Sequence, residues 1–171
     1  MSEEDLYRAR LGKLDDLGAE AWPVRFGPTE SASELQERYS GLEPGSESGD
    51  VVSVAGRLVA TREQGRLAFG DLQDRTGRIQ LFVTRDLVER FKELDTGDIV
   101  GATGEVMRTK LGELSVRPSE LVMLAKSLRP LPDKWHGLKD VEVRFRQRYL
   151  DLISNPDSQR IARLRSAVIR A

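Results

Sequence analysis

The sequence contains no cysteine and a single histidine, His136. A disulfide framework, a thiolate-ligated zinc and a thiol nucleophile are therefore excluded, and a histidine-built metal cage or catalytic triad is not expected. Apolar runs are equally scarce. The longest core-like run, Leu-Val-Met-Leu-Ala at 121–125, falls far short of the ~20 residues that span a bilayer. Acids and bases sit close together through the first 30 residues, so no signal peptide is expected. Glycine loops of the Walker or Rossmann type are missing, as are a nucleophile elbow and a carboxylate cluster with metal spacing. Nothing in these 171 residues argues for catalysis or a metal site. What remains is a soluble, cytoplasmic chain with one compact domain and appended segments, for which neither a membrane nor DNA is an expected partner.

Charge is nearly balanced overall, with 27 basic against 28 acidic residues, but it is unevenly placed. Residues 1–50 carry 12 acids and 5 bases, 51–125 carry 11 of each, and 126–171 carry 5 acids and 11 bases. An acidic front and a basic tail point to regions with different tasks. The neutral middle argues against a nonspecific polyanion binder, so any nucleic-acid contact there must depend on a few placed groups.

The front, residues 1–50, reads as a helical segment. Glu3, Glu4 and Asp5 crowd a first turn, where the helix dipole favours acids, and Tyr7, Leu11 and Leu14 follow at helical spacing until Gly18. Ser31 and Glu34 have capping-box spacing ahead of Leu35, Tyr39 and Leu42. From Val52 the period changes to two: Val52, Val54, Gly56 and Leu58 alternate with more polar neighbours. A turn at Gln64-Gly65 leads to a second strand with Leu67 and Phe69 on one face. Asp74 to Gly77 turns the chain again, and Ile79, Leu81 and Val83 form a third strand. Asp86 to Leu94 switches to helical spacing. Ile99 to Arg108 is a fourth strand, its Gly101 and Gly104 suited to a bend or bulge. After a hairpin tip at 109–112, Glu113 to Val116 opens a fifth strand that either continues past Pro118 or is followed by a short sixth. Three strands, a helix and two strands over 51–125 is the element order of the OB-fold, a five-stranded Greek-key barrel. Residues 126–142 form a proline-containing linker. Val143 to Ile153 reads as helix, Asn155-Pro156 as the start of another, and Ile161, Leu164, Val168 and Ala171 give that second helix an apolar stripe that nothing in the sequence covers.

The exposed face of an OB-fold, strands two and three with the flanking loops, commonly binds single-stranded nucleic acid. Alternation places Phe69 near the middle of strand two, where it could stack on an unpaired base, and Gln80 across from it on strand three, where an amide can read a base edge. Glu113, beside the hairpin tip, offers a carboxylate to a base N–H. Arg62, in the loop after strand one, is suited to a phosphate or a base plane. Taken singly, Phe69 is more often a core residue, and Gln80, Glu113 and Arg62 ordinary surface residues; their weight comes from sharing one rim. In the tail, Arg144, Arg146 and Arg148 alternate with Phe145 and Gln147 and fit carboxylate pairing to a neighbouring domain or subunit better than RNA binding. Trp135 and His136 read as packed interdomain residues.

The stretches VSVAGRLVATREQGRLAFGDLQDRTGRIQLFV (52–83), LGELSV (111–116), LRPLPDKWHGLKDVEVRFRQRYLDLISNP (128–156) and RSAVIRA (165–171) resemble the bacterial-type class II lysyl-tRNA synthetases, and the resemblance runs through nearly the whole chain. It implies an OB-fold that binds the uridine-rich anticodon loop of lysine tRNA, with the family's anticodon readers at Arg62, Phe69, Gln80 and Glu113. It further implies that Trp135, His136, Arg144, Arg146 and Arg148 lie at the interdomain or dimer contact, that 143–171 is the truncated start of a catalytic domain, and that the full-length enzyme is a homodimer. ATP and Mg2+ are implied only for the full-length enzyme, because the signature motifs that hold them are absent from this sequence. Trp135 stands where the family more often has Phe or Tyr. The alternative left open by the residues themselves is a stand-alone OB-fold module that binds RNA or protein through its basic tail.

Overall fold

The computed structural model describes residues 2–18, 23, 25–131, 138 and 140–171, in two compact units, Met1–Pro130 and Leu131–Ala171. Trp135 and His136 lie outside the described residues.

The first unit opens with helix α1 (Glu3–Leu17), whose start is closed by a reciprocal Ser2–Asp5 capping box and whose end is marked by Gly18. Helix α2 (Ala32–Arg38) begins where the Ser31/Glu34 spacing predicts, with the Glu34 carboxylate accepting from the Ser31 N–H at 2.8 Å. Five strands follow: β1 (Glu47–Gln64), β2 (Leu67–Gln73), β3 (Arg78–Val83), β4 (Ile99–Arg108) and β5 (Leu114–Ala125), with helix α3 (Arg85–Lys92) between β3 and β4. The strands close on themselves in the order β1-β2-β3-β5-β4. All pairs are antiparallel except β3 with β5, which run parallel. β5 continues through Pro118 as one strand rather than breaking into a short sixth.

The alternation read from the sequence sorts correctly into two faces. Leu58, Ala68, Leu72, Ile79, Leu81, Val83, Val100, Val106 and Val116 point into a shared core, to which α2 adds Ala32 and Leu35 and α3 adds Val88 and Phe91. Gly104 permits the tightest approach in the barrel. A Cβ there would stand 2.0 Å from the Arg117 carbonyl oxygen, at the point where the β4–β5 register shifts. Opposite it sits Pro118, which has no N–H to give to the ladder.

α1 is tied to the barrel through charge. Asp98 is fully buried, and its carboxylate takes the Lys126 ammonium at 2.8 Å and the backbone N–H groups of Asp95 and Ser127 at 2.8 Å each. Lys126 also reaches Asp95 at 2.6 Å, and Lys13 from α1 reaches Asp95 at 3.0 Å. Burial pushes the Asp95 carboxyl up, but the hydrogen bonds from Lys126 and Lys13 outweigh it and hold Asp95 below the usual carboxylate range. Arg10 completes the clasp by donating to the Ser127 carbonyl at 2.7 Å.

The second unit contains α4 (Val141–Arg146), α5 (Arg148–Ser154) and α6 (Pro156–Arg170). The single helix expected over 143–153 is thus two, interrupted at Gln147. The interruption brings Arg144 and Arg148 onto one buried carboxylate, Asp151, which Arg144 meets at 2.7 Å; Asn155 donates to the same carboxylate at 2.5 Å. Arg146 makes an exposed pair with Glu142 at 2.9 Å. Arg144, Arg146 and Arg148 thus each have a carboxylate within their own unit. The apolar stripe of α6 is exposed at Ile161, Leu164 and Val168.

Two expectations follow. Lys126→Met leaves the Asp98 carboxylate buried without its cation and costs about 3–5 kcal/mol in urea unfolding. The double variant with Asp98→Asn costs less than the two single changes added together, by about 1–3 kcal/mol. Second, the Asn155 hydrogen bond, with help from Ser158 and Arg144, lowers the Asp151 pKa from 3.8 to about 2. A depressed carboxyl contributes stability above its unfolded value and loses it as pH falls through the folded one. Helical circular dichroism should therefore decline between pH 3.8 and about 2, and this decline should be shallower in Asp151→Asn.

Candidate nucleic-acid interface

The outer face of β2 and β3 is where the barrel departs from an ordinary polar surface. Because Ala68, Gly70 and Leu72 face inward, Phe69 must face outward, and the antiparallel register sets it directly opposite Phe82. The two rings meet edge to face, with centroids 5.3 Å apart and planes at 78°. On the other side of Phe69 its register partner is Arg62, inside β1 rather than in the loop after it. Gln80 pairs with Asp71, not with Phe69 as the sequence suggested, and so lies two positions along the same outer face. The error is one of register: the β2–β3 turn is held by Asp74, whose carboxylate accepts from the N–H groups of Thr76 and Gly77 at 2.6 and 2.8 Å.

The parallel β3–β5 seam completes the site. Gln80 is in register with Ser115, and Ser115 Oγ donates to Gln80 Oε1 at 2.9 Å. Met107 is paired with Ser115 from the other side, and Glu47 with Met107. β1 is long enough to pass around the barrel, so its first residue and its last turn flank the same depression. Glu113 immediately precedes β5, one residue outside the strand it was expected to open.

The result is a pocket of about 550 Å³ lined by all four residues singled out in the sequence, Arg62, Phe69, Gln80 and Glu113. Phe82, Met107, Arg108, Lys110 and Arg117 line it as well. Phe82 was readable in principle, since it alternates with Leu81 and Val83. Met107 likewise alternates with buried Val106 in β4, whereas Lys110 carries no comparable signal, because only the hairpin turns it toward the pocket.

The cations of the pocket are not equivalent. Arg117 is held by Glu47 at 2.5 Å and by Glu105, and the Glu47 hydrogen bond raises its pKa further. Arg108 donates to the Gly112 and Tyr39 carbonyls at 2.8 and 2.9 Å. Among the described residues no ion pair occupies Arg62, Lys110 or Glu113. An apolar ring, an amide with its oxygen already engaged, a free carboxylate and free cations together suit a flat, hydrogen-bonding, anion-linked ligand. Among the described residues, no three His, Cys, Asp or Glu side chains gather to hold a metal ion, and no helix is long and apolar enough to cross a membrane.

Residues 52–130 match the family model of the OB-fold nucleic acid binding domain. The chain is 49% identical to the lysine–tRNA ligase of Moorella thermoacetica over 99% of its own length and 35% of the relative's. It is 45% identical to that of Bacillus subtilis over 96% of its length and 34% of the relative's, and 43% identical to that of Pediococcus pentosaceus over 96% and 34%. The chain thus spans about a third of the length of the curated relatives it matches. The chain is thus similar to the OB-fold nucleic acid binding domain over residues 52–130 and to lysine–tRNA ligases over nearly all its length.

Proposed function

We propose that the chain binds the anticodon loop of lysine tRNA, as the N-terminal anticodon-recognising portion of a lysine–tRNA ligase. The convergence of Arg62, Phe69, Gln80 and Glu113 on one pocket supports this reading above all. Phe69 stacks on an unpaired base, an interaction worth about 1–3 kcal/mol. With Gln80 Oε1 engaged by Ser115, the amide presents its NH2 as a donor. Glu113 presents an acceptor. A donor beside an acceptor fits the uracil edge, which offers a carbonyl next to N3–H. Cytosine turns a lone pair at N3 toward the carboxylate and is disfavoured. Arg62, next to Phe69 across the ladder, takes the phosphate.

The same reading assigns 126–142 to the interdomain linker and 143–171 to the first helices of the catalytic domain, with Trp135, His136, Arg144, Arg146 and Arg148 near the interdomain or dimer contact. The exposed stripe of α6 is then a surface for the rest of a ligase. Lysine attachment, ATP and Mg2+ belong to that remainder, and the working protein is a cytoplasmic homodimer.

Fluorescence anisotropy with a lysine-tRNA anticodon stem-loop tests this. Phe69→Ala should weaken binding about 5- to 100-fold. Glu113→Gln should weaken it about 10-fold and reduce the preference for uridine over cytidine in the loop. Equal affinity for an unrelated stem-loop, together with indifference to both substitutions, would remove the proposal.

A further inference from the structure

Ser115 is an unusual residue for its place. It sits in β5 between Leu114 and Val116, both buried in the core, and is itself fully buried. Its register partners, Gln80 on β3 and Met107 on β4, both line the pocket, so the hydroxyl lies on the outer face beneath the site rather than in the core. A buried hydroxyl costs stability unless it is hydrogen-bonded, and strand pairing itself needs none. Its one proton has two acceptors in reach, Gln80 Oε1 at 2.9 Å and the Glu113 carbonyl at 3.3 Å. The first lies within the usual O–H···O range and the second outside it. Among the described residues no other group bonds the Gln80 amide, so this hydroxyl alone decides which end of the amide meets the pocket.

We propose that Ser115 is a specificity-determining positioning residue: by pinning the Gln80 oxygen it fixes the NH2 toward the bound base and so sets the preference for uracil over cytosine. The inference rests on the anticodon-loop reading of the pocket and deepens it. The two ends of a primary amide differ in chemistry and hardly at all in shape, so a flip turns a donor into an acceptor without moving the rest of the side chain. With the NH2 outward, Gln80 donates to a uracil carbonyl. With the oxygen outward, it accepts from the cytosine amino group and refuses the uracil carbonyl. In that flipped state Ser115 Oγ must accept from the NH2 and turn its proton to the Glu113 carbonyl, at the longer distance. The pinned state is therefore favoured by about 3- to 10-fold, the worth of one ordinary hydrogen bond. A cytosine must recruit the minor, flipped population and binds more weakly by that factor, on top of what Glu113 imposes at N3.

The test compares Kd by anisotropy for the lysine-tRNA anticodon stem-loop and for a cytidine-substituted loop. In Ser115→Ala the amide is free to take either orientation, so the competent fraction falls to about half for uridine and rises from a minority to about half for cytidine. The uridine loop should weaken by less than about 2-fold, while the cytidine loop should bind about 2- to 5-fold tighter. Damage to the β3–β5 seam weakens both loops and does not produce that gain. Ser115→Thr, which keeps a hydroxyl, should hold the wild-type ratio of the two affinities. In a Gln80→Ala background, Ser115→Ala should leave the ratio unchanged, because no amide remains to orient. A wild-type ratio in Ser115→Ala, or an equal loss for both loops, overturns the role of Ser115 and leaves the anticodon reading standing. A wild-type protein that binds both loops equally overturns that reading, and the role of Ser115 with it.

Discussion

The site depends on the seam between β3 and β5. Two register pairs, Gln80 with Ser115 and Leu81 with Val116, join these parallel strands. Leu81 and Val116 are fully buried, so the same seam that brings Gln80 close to Glu113 also completes the core. Without it, the amide would lie on one edge of an open sheet and the carboxylate on the other. Parallel pairing is slightly weaker per residue than antiparallel pairing, which makes the Ser115–Gln80 hydrogen bond more than a detail of orientation. It links strand closure to the presentation of a donor toward the pocket.

Electrostatics acts on two scales. The barrel region is neutral in sum, which argues against a surface that attracts any polyanion. Locally, the charges are sorted. Carboxylates engage Arg117, Lys13, Lys126, Arg144 and Arg148 in structural pairs, while Arg62 and Lys110 stand apart at the pocket. The tail is basic, but two of its arginines converge on Asp151, so its formal charge overstates what it can offer to RNA.

The faces of the strands were legible because burial imposes a period of two, and Leu58, Ile79 and Leu81 fall where that period puts them. Register was not legible. Alternation says that Gln80 and Phe69 share a face, but only the grip of Asp74 on its turn decides that Gln80 meets Asp71. The beginning of β1 was also hidden, since Glu47, Ser48, Gly49 and Asp50 carry no apolar alternation; the strand starts there by pairing across a bulge with β4. Helix spacing over 143–153 was real, yet it could not reveal the break at Gln147, which serves a buried ion pair rather than a core. Lys110 was missed because a turn, not a period, aims it, whereas Met107 follows the β4 alternation with Val106.

A ring of strands has its backbone polar groups already paired within it, so the recognition surface is made of side chains alone. Phe69 and Glu113 project away from the interior that Leu81 and Val116 fill, so on the proposed reading exchanging them should alter what is recognised while leaving the cylinder intact. Such a scaffold can diverge in specificity one residue at a time, because the positions that choose the ligand are not those that decide whether the chain folds.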